Sequence, residues 1–247
     1  MAALVWDADG AKRFETGVDK VALYVKGTST AIVDPRTDVP SGDELALTST
    51  PYTGGVAWNG VTSVSKSPSG AEANDIYADN IKYASLRSAE TFGATVEAYA
   101  YPDEFRECNG AKVVAGGLIV GQQIRKPFGF CFRTDIGDDS DSGIDVGSKY
   151  KLHLVYNATA SPSEESFSTI NDSPEAITFS WEMSTIPFTF ADNSHLPVTC
   201  ITIDSTKANP TALSILEKLL YGDNSTNSTA VLPLPNDVLT IFGADYD

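Results

Sequence analysis

Residues 176–185 alternate between apolar and polar side chains, which is the period-two pattern of a half-buried strand. The apolar positions are Ile177, Phe179, Trp181 and Met183, and the polar positions are Thr178, Ser180, Glu182 and Ser184. We therefore expect one face of this strand to pack in a core and the other to meet water or a partner.

A second alternating stretch covers residues 90–101. One face carries Phe92, Ala94, Val96 and Ala98, and the opposite face carries Thr91, Gly93, Thr95, Glu97, Tyr99 and Tyr101. Both faces contain side chains that can pack, which is typical of a strand that is covered on one side and makes a contact on the other.

Strand patterns recur along the rest of the chain, separated by clusters of Gly, Pro, Asn and Ser. The further predicted strands are residues 19–26, 55–64, 75–86, 128–136, 149–158 and 198–205. Residues 128–158 predict one hairpin with a long acidic tip. Short connections between many strands predict a mainly β chain with two packed antiparallel sheets.

The clearest helix signal lies at residues 209–221. Asn209 suits the cap position, Pro210 suits the first turn and Gly222 ends the pattern. Its leucine stripe, which we expect to dock on a sheet, is Leu213, Leu216, Leu219 and Leu220. A second short helix is predicted at residues 235–242.

The connecting segments do not divide the chain. Residues 27–54 and 157–175 are rich in small and polar residues, which predicts loops or arms, with an optional strand at residues 44–48. No linker is long enough to require two domains, so residues 1–247 predict a single domain.

The charge balance is strongly acidic, with 17 Lys and Arg against 33 Asp and Glu, a formal net charge of −16. Such a field repels nucleic acid, which argues against a protein that grips DNA through its phosphates. Asp7 and Asp9 interrupt the region where a signal peptide would stand, and no apolar run is long enough to span a bilayer. We expect synthesis in a cytoplasm and no membrane contact.

Candidate metal and nucleophile chemistry is sparse. His153 and His195 lack a second ligand at workable spacing, and no nucleophile elbow is present. Cys108, Cys131 and Cys200 show no paired spacing, which favours buried or idle thiols. The acidic loop resembles a calcium loop, but Tyr150 occupies the position where a bidentate Glu is needed. We predict no catalytic, cofactor-binding or metal-binding residue.

Paired carboxylates keep one enzymatic alternative open. A glycoside hydrolase needs two carboxyl groups that face one cleft. The acids available for such a pair are Glu90, Glu97, Glu182, Asp103 and Glu104. A carbohydrate-binding β-sandwich is the other alternative, and it ranks ahead of the hydrolase.

Long phrases of the chain resemble a known family. They include GVAWNGVTSV, YADNIKYASL and SAETFGATVEAYAYPDEF within residues 55–105, GQQIRKPFGFCFRT from residue 121, and ITIDSTKANPTALSILEKLLYG from residue 201. Together they resemble the major tail protein, or tail tube protein, of long non-contractile tailed bacteriophages. The likeness covers most of the chain in the family's order.

This resemblance implies a tail-tube β-sandwich with one flanking helix and extended arms. Subunits would form hexameric rings that join their inner sheets edge to edge. The rings would stack through an N-terminal arm at residues 1–18, the long loop at 27–54 and the C-terminal segment at 223–247. The implied partners are further copies of the chain, the tape measure protein, the tail terminator and the distal tail or baseplate proteins. The implied location is the virion.

A tube that passes DNA without binding it needs a channel lined with carboxylates. The candidate channel acids are Glu97, Glu182, Asp135, Asp138, Asp139, Asp141 and Asp145. The alternative for each of them is an ordinary solvated position on the outer surface.

Overall fold

The computed structural model describes residues 12–36, 45–70, 72–138, 148–167, 169, 176–190, 196–223 and 228–243. The strands are β1 (Phe14–Ala31), β2 (Ser49–Tyr52), β3 (Val56–Ala57), β4 (Val61–Lys66), β5 (Ser69–Gly70), β6 (Ala73–Ala78), β7 (Ile81–Arg87), β8 (Glu90–Thr91), β9 (Gly93–Ala98), β10 (Lys112–Ala115), β11 (Leu118–Val120), β12 (Phe128–Gly137), β13 (Tyr150–Ala160), β14 (Phe179–Thr185) and β15 (Cys200–Asp204). The helices are α1 (Phe105–Cys108), α2 (Pro210–Tyr221) and α3 (Pro235–Ile241).

The described strands centre on one nine-stranded antiparallel sheet, which confirms the mainly β prediction. Its main path runs β2-β1-β12-β13-β14-β9-β4, with β3 beside β1 and β15 beside β13. The long strand β13 pairs with β12 on one edge. On its other edge it pairs first with β15 and then with β14. The sheet therefore divides at β13, and β14, β9 and β4 continue as a separate layer.

The two layers pack face to face around an aromatic core. Phe128, Phe130 and Phe132 of β12 share one buried cluster with Val96 of β9 and Trp181 of β14. A strand that contributes alternate residues to this core presents its remaining residues to the opposite side. The outward side of β9 and β14 is therefore the face that lies away from the sandwich core.

Helix α2 covers the other side of the β1-β12-β13 layer. Asn209 caps it, since the Asn209 side-chain oxygen accepts a hydrogen bond from the backbone N–H of Thr211 at 2.9 Å. The leucines on its inner stripe are buried among Tyr24, Leu154 and Tyr156. The predicted helix at residues 209–221 is confirmed, and α3 matches the second predicted helix.

Two segments that were each predicted as one strand form two strands in the structure, so those predictions are wrong. Residues 55–64 are divided into β3 and β4 by a turn at Gly60, whose φ is 83°. Residues 75–86 are divided into β6 and β7 by Asp79 and Asn80, whose φ angles are 52° and 64°. Positive φ at both central residues is the signature of a two-residue hairpin turn. The predicted hairpin at residues 128–158 is confirmed by the β12–β13 register.

Parts of the predicted N-terminal arm and of the predicted long loop lie in strands of the sheet. Strand β1 begins at Phe14 and runs through Ala31, and β2 occupies Ser49–Tyr52. Residues 45–48 are not a strand, and Glu44 lies outside the described residues. The strands β10 and β11 and the helix α1 have no counterpart in the prediction. No helix among the described residues has the length and apolar character needed to cross a bilayer.

Candidate functional site

The outward side of strands β4, β9 and β14 carries a uniform set of side chains. The pairing register places Ser63 opposite Glu97, Ser180 opposite Glu97 and Glu182 opposite Thr95. Residues that pair directly in this way point to the same side of the sheet. The face, called the outer face below, consists of Ser63, Ser65, Thr95, Glu97, Ser180, Glu182 and Ser184.

Glu97 and Glu182 are brought together on the outer face as diagonal neighbours across β9 and β14. Diagonal positions in an antiparallel pair lie roughly 7–8 Å apart. The Ser63 hydroxyl donates to Glu97 Oε2 at 3.1 Å, and Glu97 is half-buried. Glu182 is exposed. Two of the predicted channel acids therefore share one solvent-facing surface.

The outer face contains no basic side chain, although β4 ends in a lysine. Lys66 pairs with Ala94, a core position, and so points to the opposite side of the sheet. Its amine lies 2.8 Å from His153 Nδ1 and 5.6 Å from the centre of the Phe132 ring. The carboxylates of the outer face therefore have no cationic neighbour on the same face.

His153 links the two layers of the sandwich through polar contacts. Nδ1 lies 3.0 Å from the Thr202 hydroxyl, and Nε2 lies 3.1 Å from the Thr134 hydroxyl. Because a lysine ammonium can only donate, Nδ1 accepts from Lys66 and the ring proton is on Nε2. Burial, followed by the charge of Lys66, lowers the pKa of His153 to about 4. This histidine is a neutral structural link.

Asp135 does not join Glu97 and Glu182 on the outer face. It is only 7% exposed and pairs with Thr16 and Tyr150 in the neighbouring strands. Thr134 points toward His153 and the sandwich core, so Asp135 points to the helix-covered side. On that side Arg133 forms a two-pronged ion pair with Asp19, with Nε 2.9 Å from Oδ1.

The acidic hairpin tip is only partly described. Asp138 forms an ion pair with Lys149, whose amine lies 2.7 Å from Asp138 Oδ2, and the Asp138 side chain is 7% exposed. The pairing reduces its effect as a free negative charge. Asp139, Asp141 and Asp145 lie outside the described residues.

Strands β4 and β9 extend beyond the sheet as one continuous two-stranded ribbon. Their register continues without a shift through β5–β8 and into β6–β7 as far as Ile76. We call residues 69–70 and 72–91 the arm. From Ser69 to Ala78 it spans about 30 Å at the usual rise per residue.

The arm has one apolar side, which carries Ile76, Ala78, Ile81, Ala84 and Leu86. Ile76 is 40% exposed, Ile81 is 65% exposed and Leu86 is 56% exposed. The other side carries Tyr77 and the ion pair between Lys82 and Asp75 at 2.8 Å. An isolated two-stranded hairpin is marginally stable in water. The exposed apolar side makes the arm a candidate contact surface.

The acids considered for catalysis do not converge on a cleft. Neither Glu97 nor Glu182 lines any of four clefts, of about 350, 600, 610 and 640 Å³, in the part of the chain that the structure describes. Glu90 lines the largest of them beside Phe92, with no second acid. Asp103 forms an ion pair with Arg106 at 2.8 Å. Glu104 precedes the first residue of α1.

The described thiols and metal-ligating side chains form no reactive centre. No group of three or more His, Cys, Asp or Glu side chains among the described residues is arranged to hold a metal. Burial raises the pKa of Cys108 to about 12 and that of Cys131 to about 11. Thiols with such pKa values stay protonated at neutral pH and are poor nucleophiles. His195 lies outside the described residues.

Neither a protein-family model nor a curated protein matches this chain.

Proposed function

We propose that this chain is the major tail tube subunit of a long-tailed bacteriophage. Six copies close into a ring, and the rings stack around a channel for DNA. The observation that carries the proposal is the outer face, on which only hydroxyl and carboxylate groups cover a fully packed sandwich layer. The sequence resemblance described above supports the same function.

The chemistry of the outer face suits a channel that DNA must pass. Double-stranded DNA carries one negative charge per roughly 1.7 Å of its axis, and basic side chains on a lining surface would bind it. Glu97 and Glu182 repel the phosphates, and the serine and threonine hydroxyls hold water. DNA then moves through the channel without a specific contact.

The edge of the sheet supports ring closure. Strand β4 is the last strand on its path, so its outer edge has no partner strand among the described residues. An unpaired edge invites pairing with another chain. In the proposed ring, the edge of β4 joins the sheet of a neighbouring copy, and closure of the ring removes the exposed edges.

The arm supports contacts between rings. Its apolar side is long enough to reach beyond the sandwich layer and is exposed in the single chain. In the proposed assembly it docks on another copy. The tape measure protein, the tail terminator and the distal tail or baseplate proteins complete the tail. The subunit is a structural protein of the virion with no enzymatic role.

Negative-stain electron microscopy of the purified protein over a range of concentrations, with light scattering for mass, tests the proposal. We expect rings or tubes with a central hole close to the width of a DNA duplex. A 26.3 kDa monomer at every concentration would count against it. A monomer that is stabilised by sugars would point to a carbohydrate-binding sandwich instead.

A further inference from the structure

The hairpin formed by β10 and β11 is apolar and buries none of its large side chains. Val113 is 51% exposed, Val114 is 61% exposed and Leu118 is 56% exposed. Ile119 and Val120 are 45% and 39% exposed. Every residue of both strands is exposed, so packing on the rest of the subunit contributes little to the stability of the hairpin. Short hairpins of this kind need a covering surface to be stable.

The segment that contains this hairpin has a net positive charge, whereas the whole chain is acidic. Residues 108–127 contain Lys112, Arg125 and Lys126 and no acid, whereas the chain carries a net charge of −16. Lys112 stands at the start of β10, opposite Val120. Lys126 forms an ion pair with Glu107 at 2.6 Å, and Arg125 donates to Asn109 and to the Ala160 carbonyl, so Lys112 carries the positive charge beside the apolar strands.

The arm has the complementary properties. Its apolar side carries Ile76, Ile81 and Leu86, and residues 72–90 contain four acids against two bases. Asp79 stands at the tip, where φ is 52° and the backbone turns. Acidic charge at the tip and apolar residues along one side match the basic and apolar character of the β10–β11 hairpin.

We infer that the β10–β11 hairpin is the docking site for the arm of a second copy of this chain. The apolar side chains of both surfaces are exposed within one copy, so the described residues of the same chain do not cover them. A contact between two different patches is heterologous, and it propagates from copy to copy into rings or stacks. The inference rests on the proposed function for its biological setting, because it names the partner of the arm.

Disulfide trapping between copies tests the inference. In a Cys200→Ser background, a sample of the Ile81→Cys variant is mixed with isotope-labelled Leu118→Cys variant, assembled and oxidised. Cys108 and Cys131 are buried and stay out of the reaction. We expect a labelled-to-unlabelled cross-link between positions 81 and 118, identified by peptide mass spectrometry. The matched control pairs Ile81→Cys with Leu196→Cys, since Leu196 is 87% exposed but lies outside the proposed contact.

A second variant measures the energy of the same contact. Leu118→Asp places a charge in the apolar contact and should raise the protein concentration needed for assembly by about tenfold or more. Thermal unfolding of the separate subunit should not change, because Leu118 is 56% exposed there.

The outcomes separate this inference from the proposed function. The inference would be overturned, and the tube function left standing, if tubes formed without the 81–118 cross-link. The same conclusion would follow if the control cross-link formed in the same yield as the 81–118 cross-link. A cross-link in dimers that never form rings would support the inference and contradict the tube function. A chain that stays monomeric under all conditions would overturn both.

Discussion

At the scale of single residues, the direction in which one side chain points decides the net charge of a surface. Lys66 and Ser65 are neighbours in β4, yet alternation sends the lysine to the core side and the serine to the outer face. The lysine amine is held by His153, so it does not neutralise Glu97 or Glu182. The buried histidine therefore contributes indirectly to the negative charge of the outer face.

The stability of the subunit should depend on pH through His153. Its pKa in the folded state is about 4, below the ordinary 6.5, so the unfolded chain takes up a proton first as the pH falls. The free energy of unfolding should therefore decrease as pH falls from 6.5 toward 4. Relative to the His153→Gln variant, we expect an additional loss of about 2 kcal/mol over that range.

Urea unfolding of both proteins at the two pH values measures this difference. The carboxylates titrate in both proteins, so only the difference between them reports on His153. The same pH dependence in wild type and variant would show that protonation of His153 is not coupled to unfolding.

At the scale of elements, the turn of the arm sets how well the arm is organised before the docking proposed above. Asn80 has a φ of 64°, a region that asparagine tolerates and β-branched residues do not. Replacing Asn80 with Val should cost about 1–2 kcal/mol in the arm alone. The concentration required for assembly should rise by roughly tenfold.

Sedimentation of assembled protein against total concentration measures this effect, and thermal unfolding reports on the sandwich. The matched control is Asn80→Gly, which suits positive φ and should assemble at least as readily as wild type. A lower unfolding temperature in Asn80→Val would show instead that the arm contributes to the stability of the subunit itself.

The elements that could be predicted from sequence are those with one buried side. Alternation at residues 90–101 and 176–185 correctly assigned Val96 and Trp181 to the core and Glu97 and Glu182 to the opposite face. The side of the sheet to which Asp135 points could not be predicted, because β12 is buried on both sides and its sequence does not alternate between apolar and polar. Period-two reasoning cannot assign faces in such a strand.

The two exposed hairpins were missed for a different reason. The turn between β6 and β7 uses Asp79 and Asn80 without a glycine, and the continuous strand-like pattern concealed it. The β10–β11 turn does contain Gly116 and Gly117 between apolar residues, a hairpin signal that could have been recognised. Neither hairpin packs on its own subunit, so their apolar residues could not be explained by a core.

At the scale of the whole molecule, the subunit separates its interactions by surface. The sandwich core and the α2 layer stabilise one chain, whereas the arm and the β10–β11 hairpin expose apolar side chains. The outer face carries negative charge without apolar side chains. A subunit with this separation can assemble through one set of surfaces while another set remains in water.

The charge of the proposed channel should control how fast DNA leaves the particle. Phage particles built with Glu97→Lys and Glu182→Lys should form tails of normal length, because neither side chain packs in the sandwich core. Their DNA ejection should be slower, since two lysines per subunit would bind the phosphates as they pass, and the delay should shrink as salt is raised. The control particles carry Glu164→Lys and Glu165→Lys, which make the same change of charge at exposed positions after β13. Ejection at the same rate in both sets of particles would place Glu97 and Glu182 outside the channel.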